Sequence, residues 1–180
     1  TCALPIYSKK LVNFFNKNNF STFRLKTGTP ARIRGDSIDF SKCIVQEGDI
    51  EPVPFSFITK KLNVKQTPCF ITHTNNKTHR IINESIHKSP LYNGSIRSRG
   101  PRYCPSIEDK IKKFTDRSRH QIFLEPETKS GEIIYPNGIS TSLPKKVQID
   151  FLKTIKGLEN AVIEKFGYRS EEHTSELQSP

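Results

Sequence analysis

Apolar positions along the chain follow two periods, and their boundaries give the elements. From Ser8 to Asn18 they recur at helical spacing, with Leu11, Phe14 and Phe15 on one face. Phe20 to Lys26 reads as a strand running into a turn at Thr27-Gly28-Thr29-Pro30. Between Ala31 and Pro54 short strands and loops are broken by Gly35, Gly48, Pro52 and Pro54, and Phe55 to Ile58 reads as an edge strand. Polar residues 60–66 form a surface loop. Cys69 to His73 is a strand, and Thr74 or Asn75 caps a helix running to about His87 with Ile81, Ile82 and Ile86 inward. A helix beginning near Pro105 places Ile107, Ile111 and Phe114 on one side. His120 to Leu124 and Ile133 to Tyr135 are strands. Lys145 to Lys156 is an amphipathic helix with Val147, Phe151, Leu152 and Ile155 inward, stopped by Gly157. Strands alternating with helices, with several hairpin-like turns, predict an α/β fold: a mixed sheet with flanking helices.

The two ends do not continue this pattern. Residues 1–6 and 169–180 resemble translated sequencing-library adapters, and the tail turns abruptly acidic and structureless in composition. With no Met in the sequence, residues 7–168 read as an internal piece of a longer protein. Removing the tail's one Arg and three Glu takes 29 basic and 18 acidic residues to 28 and 15, so the net charge rises from +11 to +13. Such a surplus attracts polyanions, with RNA or DNA as the partner class. No apolar run reaches the roughly 20 residues that span a bilayer, which predicts no membrane association. Once Cys2 is set aside, Cys43, Cys69 and Cys104 remain. Three thiols without close spacing fit a reducing, cytoplasmic compartment rather than a disulfide framework.

The densest chemistry lies in Gly100-Pro101-Arg102-Tyr103-Cys104-Pro105-Ser106-Ile107-Glu108-Asp109-Lys110. Pro105 suits the first helical position, and Ser106 with Asp109 three residues on resembles a capping box. A helix N-terminus carries about half a positive charge, and Arg97, Arg99 and Arg102 add to it. Both effects favour a thiolate, which makes Cys104 the candidate nucleophile. The same N–H groups suit a phosphate or pyrophosphate, and a buried, inert cysteine at a loop–helix junction is the plain structural alternative.

Other constellations carry less. His73, His79 and His87 flank one helix, but their spacing matches no zinc pattern. Glu125 and Glu127 sit two apart at a strand end, interrupted by Pro126. Tyr135-Pro136-Asn137-Gly138 is a turn signal leading into the hydroxyl-rich Ser140-Thr141-Ser142, suited to phosphate or to capping. Arg32 and Arg34 form a further basic loop. No G-x-G-x-x-G dinucleotide fingerprint occurs.

Taken together and in order, the motifs resemble the MnmG (GidA) family. They are Arg24 through Arg32, Ile71-Thr72-His73-Thr74-Asn75, Ser89-Pro90-Leu91-Tyr92, the Cys104 run, His120 through Glu127, and Tyr135 through Pro144. The resemblance covers nearly all of residues 7–168. It implies a fragment of a flavoprotein with two dinucleotide-binding domains: residues 7–30 end a FAD-binding segment, 31–130 form an inserted α/β nicotinamide-related domain, and 131–168 return towards the FAD-binding domain. Family members act with the GTPase MnmE to install an aminomethyl or carboxymethylaminomethyl group at carbon 5 of the wobble uridine of tRNA. They use FAD, NADH and methylenetetrahydrofolate. The implied assembly is a homodimer within a heterotetramer, in the cytoplasm or, for a eukaryotic source, the mitochondrial matrix. Gly100 through Phe114 (Gly100, Pro101, Arg102, Tyr103, Cys104, Pro105, Ser106, Ile107, Glu108, Asp109, Lys110, Ile111, Lys112, Lys113, Phe114) match the segment associated with nicotinamide binding. Cys104 matches one of two cysteines important in the family, with a thiolate adding to the uracil ring as its implied chemistry.

Departures from the family are the glycine-rich flavin loop and the second cysteine, both outside the piece, Thr128 where Gly is usual, and Lys145-Lys146 where an acidic residue is common. The fragment alone is therefore expected to be inactive and to hold no stable FAD. Two other classes compete with the family reading. A non-catalytic basic RNA-binding module predicts salt-dependent tRNA binding without flavin. A thiol-redox or thiol-transfer enzyme would need a second cysteine or a histidine beside Cys104.

Overall fold

The computed structural model describes residues 6–90, 92 and 105–175. Helix α1 (Ile6–Lys17) leads into β1 (Thr22–Thr29), and β2 (Arg32–Arg34), β3 (Ile44–Gln46) and β4 (Cys69–His73) follow. Next come α2 (Asn76–Ser85), α3 (Ile107–Lys113), β5 (Gln121–Pro126) and β6 (Ile133–Asn137). The chain closes with α4 (Lys145–Leu152), β7 (Ile163–Lys165) and β8 (Tyr168–Ser175). One sheet has the order β3-β4-β5-β6-β2-β7, and β1 pairs with β8 in a separate two-stranded sheet. The expected α/β composition with flanking helices is present, and every described ladder is antiparallel.

Alternation along the strands decides which face is covered. Ile122 and Leu124 of β5, Ile134 of β6 and Ile33 of β2 are buried together with Ile82 of α2, Ile107 and Ile111 of α3, and Val147, Phe151 and Leu152 of α4. Helices α2, α3 and α4 thus contribute to one core with this face of the sheet. Burying an aliphatic side chain of this size contributes about 1.5–3 kcal/mol. Thr72, on the same face as Ile122, stays polar at no cost because its hydroxyl donates to the Lys156 carbonyl at 2.8 Å.

Several boundaries differ from the pattern reading, each for a local reason. The strand β1 runs through Thr27-Gly28-Thr29 instead of turning there, because β8 carries the ladder on, with Gly28 opposite Arg169 and Thr29 opposite Tyr168. That pairing also makes residues 168–175 a strand where composition predicted no structure. Phe55, Phe57 and Ile58 form no strand and stand fully exposed. Pro52 and Pro54 just before them can donate no ladder hydrogen bond. Strand β6 continues to Asn137, and the turn falls at Gly138 with φ +106°. Pro136 is accommodated because β2, on that side, reaches only to Ile134. Helix α4 tightens after Leu152 into i→i+3 bonds from Thr154 to Phe151 and from Ile155 to Leu152, which carry Ile155 into the core. Helix α2 likewise passes into a 3₁₀ turn at Ile86–Lys88. Asn75, one of two expected caps, accepts from the Lys77 and Thr78 N–H groups, while the Thr78 hydroxyl accepts from the Asn75 N–H.

Candidate functional site

Gly100, Pro101, Arg102, Tyr103 and Cys104 lie outside the described residues, as do Arg97 and Arg99. The rest of the predicted run divides by role. Ser106 is the N-cap of α3: its hydroxyl accepts from the Asp109 N–H at 3.0 Å, and Asp109 accepts from the Ser106 N–H at 3.2 Å. The capping box is as expected, but Pro105 precedes the cap instead of opening the helix, because the cap must have extended backbone and Ser106 supplies it (φ −71°, ψ 167°). Ile107 and Ile111 are core residues. Lys112 lies 5.3 Å from the Tyr92 ring, whose hydroxyl donates to Asp109 at 2.9 Å, and Lys113 is exposed.

Glu108 is fully buried and ties three segments together. Its Oε1 accepts from the Thr141 hydroxyl at 3.0 Å and the Ser142 N–H at 3.0 Å, and the Ser89 hydroxyl approaches to 3.4 Å. The Ser89 and Ser142 hydroxyls are themselves 2.6 Å apart. The hydroxyl-rich loop after β6 is therefore engaged in joining α3 to Ser89. Glu108 Oε2 is buried without a hydrogen-bond partner.

Two cavities of about 490 Å³ each lie beside α3. One is bounded by α2, through Asn76, His79, Asn83 and Glu84, and by the segment after α3. The other is bounded by Pro105, Lys110, His120, Gln121, Phe123 and Asn137. Phe114 and Arg117 line both. Lys110 donates to the Gly138 carbonyl at 2.8 Å at the edge of the second cavity. Between the cavities the His79 and His120 rings stack, with centroids 5.2 Å apart. The β4–β5 register, His73 opposite Gln121, brings Thr74 beside His120. The Thr74 hydroxyl accepts from the His120 N–H at 2.8 Å and pairs with His79 Nε2 at 2.7 Å. His120 Nε2 is buried and unpartnered. Burial holds both imidazoles below their ordinary pKa, and in His120 the neighbouring His79, Lys110 and Arg117 push the same way.

The remaining candidates are dispersed. Glu125 accepts from Asn137 at 2.9 Å, and Glu127 pairs with Arg32 at 2.6 Å, so the two carboxylates serve separate contacts. Arg32 also lies 4.6 Å from the Tyr135 ring, and Arg34 pairs with Asp36, so local partners engage this basic loop. Among the described residues no three His, Cys, Asp or Glu side chains are grouped to hold a metal. Burial raises the pKa of both described thiols, Cys43 and Cys69, with carboxylates adding to the effect.

The family model for glucose inhibited division protein A matches residues 5–176. The chain belongs to this family. It is 57% identical over 164 residues to the tRNA uridine 5-carboxymethylaminomethyl modification enzyme MnmG of Thermodesulfovibrio yellowstonii, an alignment covering 91% of this chain and 26% of the relative. It is likewise 57% identical over 148 residues to the MnmG of Clostridium botulinum, covering 82% of this chain and 24% of that one. A crystal structure of Aquifex aeolicus GidA superposes with a TM-score of 0.78 at 47% identity, over 91% of this chain and 28% of that chain. The chain thus spans about a quarter of the length of these relatives.

Within this GidA-family piece, the sequence reading singled out α3 but not the residues facing it. Arg117, Glu84 and the pairing of His79 with His120 were missed. They come from α2, the segment after α3 and the start of β5, and no local spacing relates them. The available signal was the adjacency of β4 and β5, which would have set Thr74 beside His120.

Proposed function

We propose that the full-length protein is a tRNA-modifying flavoenzyme that acts with the GTPase MnmE. It adds an aminomethyl or carboxymethylaminomethyl group to carbon 5 of the wobble uridine, drawing on FAD, NADH and methylenetetrahydrofolate. The observation that carries this reading is the 57% identity, over 164 residues, to an enzyme named for that modification. The FAD site belongs to the part of the protein outside this chain, since no G-x-G-x-x-G loop is present to cradle its phosphates. The 180-residue chain alone is accordingly inactive. The remaining parts of the proposal are a homodimer within a heterotetramer and a cytoplasmic or mitochondrial-matrix setting. No described helix is long and apolar enough to cross a membrane.

What this chain's own residues contribute is the nucleotide-facing cavities and the thiol segment. Cys104 is the nucleophile in this reading: its thiolate adds to carbon 6 of uracil and opens the 5,6 double bond, carbon 5 attacks the methylene, and loss of the carbon 5 proton then expels the thiolate and restores the double bond. Cys43 and Cys69 are poor candidates, because their raised pKa values lower the thiolate fraction. The two cavities beside Phe114 suit a nicotinamide dinucleotide, since arginines, aromatic side chains and side-chain amides line them.

The test is complementation in a strain lacking the enzyme, with nucleoside quantification of its tRNA. Wild-type full-length protein should restore the modified wobble uridine, whereas Cys104→Ser should fold, bind FAD and leave the uridine unmodified. Failure of the wild type would remove the functional reading, and normal modification by Cys104→Ser would remove the catalytic thiol.

A further inference from the structure

We propose that the exposed loop between β3 and β4 is a self-association surface: two copies of this chain pack these loops face to face about a two-fold axis running along them. This placement rests on the homodimer in the functional reading above and names the segment that joins the two subunits.

The chain leaves a large apolar surface uncovered at this loop. Ile50, Val53, Phe55, Phe57 and Ile58 are 79–107% exposed. Single exposed apolar residues are ordinary, but five within nine positions make a patch. Phe55 and Phe57 alone offer roughly 300–500 Å² of side-chain surface per chain. The three aliphatic side chains bring the total to the order of the roughly 800 Å² that each partner contributes to a standard interface. Pro52 and Pro54 fix the backbone on either side of Val53, so this arm is stiff and gives up little conformational entropy on docking.

Charge selects the occupant. The loop leaves β3 through Glu47, Asp49 and Glu51, with no Lys or Arg from 47 to 59, and returns through Lys60, Lys61 and Lys65. Its arms start side by side, because Gln46 lies opposite Cys69 and the Gln66 side chain donates to the Asp49 carbonyl. The chain reverses at Ser56–Thr59, where the Thr59 N–H donates to the Ser56 carbonyl at 3.2 Å. One arm is therefore acidic, the other basic, and the apolar residues lie between. None of these six charged side chains forms an ion pair among the described residues. A two-fold axis parallel to the arms lays the acidic arm of each copy on the basic arm of the other and brings the phenyl-bearing tips together. A second copy thus matches the patch in both apolar surface and charge. A polyanion such as RNA would match the lysine arm alone and be repelled by the carboxylates.

The experiment is sedimentation equilibrium on the full-length protein over a range of concentrations. It compares wild type with two double variants, Glu47→Lys with Glu51→Lys, and Lys61→Glu with Lys65→Glu. All four positions are exposed, so the thermal midpoints should stay unchanged. Wild type should be dimeric. Each double variant sets like charges against like and should raise the dissociation constant about tenfold or more. An equimolar mixture of the two variants should associate as wild type does, because a basic loop then meets an acidic one. Pairing within a single loop cannot produce that recovery. Double variants that dimerise like wild type, or weakened variants whose mixture does not recover, would overturn the placement while leaving the homodimer standing. A wild type that stays monomeric at every concentration would remove the homodimer itself.

Discussion

Replacing Glu108 with alanine tests whether the buried carboxyl holds the candidate site together. The side chain is fully buried, and its Oε1 is the acceptor for the Thr141 hydroxyl and the Ser142 N–H, each at 3.0 Å. The Ser89 hydroxyl, 3.4 Å away, keeps Ser142 as a partner at 2.6 Å, so it loses little. The Thr141 hydroxyl can rotate, but the Ser142 N–H cannot. A buried donor left unpaired costs about 1–3 kcal/mol, and the vacated volume adds a cavity penalty, so Glu108→Ala should cost roughly 3–4 kcal/mol. For a domain of this size that corresponds to a fall in thermal midpoint of about 6–16 °C. Glu108→Gln keeps an acceptor oxygen and places an amide N–H₂ where Oε2 has no partner, so it should lose about 1–2 kcal/mol. Thermal unfolding followed by far-ultraviolet circular dichroism reads both. A loss below about 1 kcal/mol for alanine would refute the reasoning, since the donors must then find other partners or water.

Two further outcomes follow from local geometry. Gly157 has φ +86°, and a Cβ there would meet the Cys43 sulfur at 2.8 Å and the Asp39 carbonyl at 3.0 Å, so Gly157→Ala should cost about 1–3 kcal/mol in the same unfolding assay. The His79 and His120 pKa values are lowered in the folded state, so between the folded values and the ordinary 6.5 the unfolded chain binds more protons. Stability is then fully present above pH 6.5 and falls as pH drops below it; the wild-type midpoint should drop between pH 7.5 and 5.5 by more than that of His79→Gln, and equal drops would remove the pair as the cause.

Legibility followed the range of the interaction. The stripe Val147, Phe151, Leu152, Ile155 and the alternation Ile122, Leu124 are local patterns, and the residues they turn inward are buried. Caps span three residues, and those at Asn75 and Ser106 were readable for that reason. Phe55-Ser56-Phe57-Ile58 alternates correctly, yet a strand also needs a partner edge, which a local pattern cannot supply. The site depends on longer range still: Glu108 meets partners 33 and 34 positions away, and Arg32 meets Glu127 across 95. The sequence shows such groups only as isolated polar residues.

Contacts of long range also converge on α3. Ser89, Tyr92 and the cap residue Ser106 are all fastened to α3. Tyr92 donates to Asp109, which also accepts from the Ser106 N–H, and Ser89 reaches Glu108 and Ser142. One short helix therefore fastens Ser89 and Tyr92 while Lys110 and the Phe114 that follows it line the neighbouring cavity. Ile107, Glu108 and Ile111 are turned inward, so the core behind them sets where α3 lies and, through it, where Ser89 and Tyr92 are held.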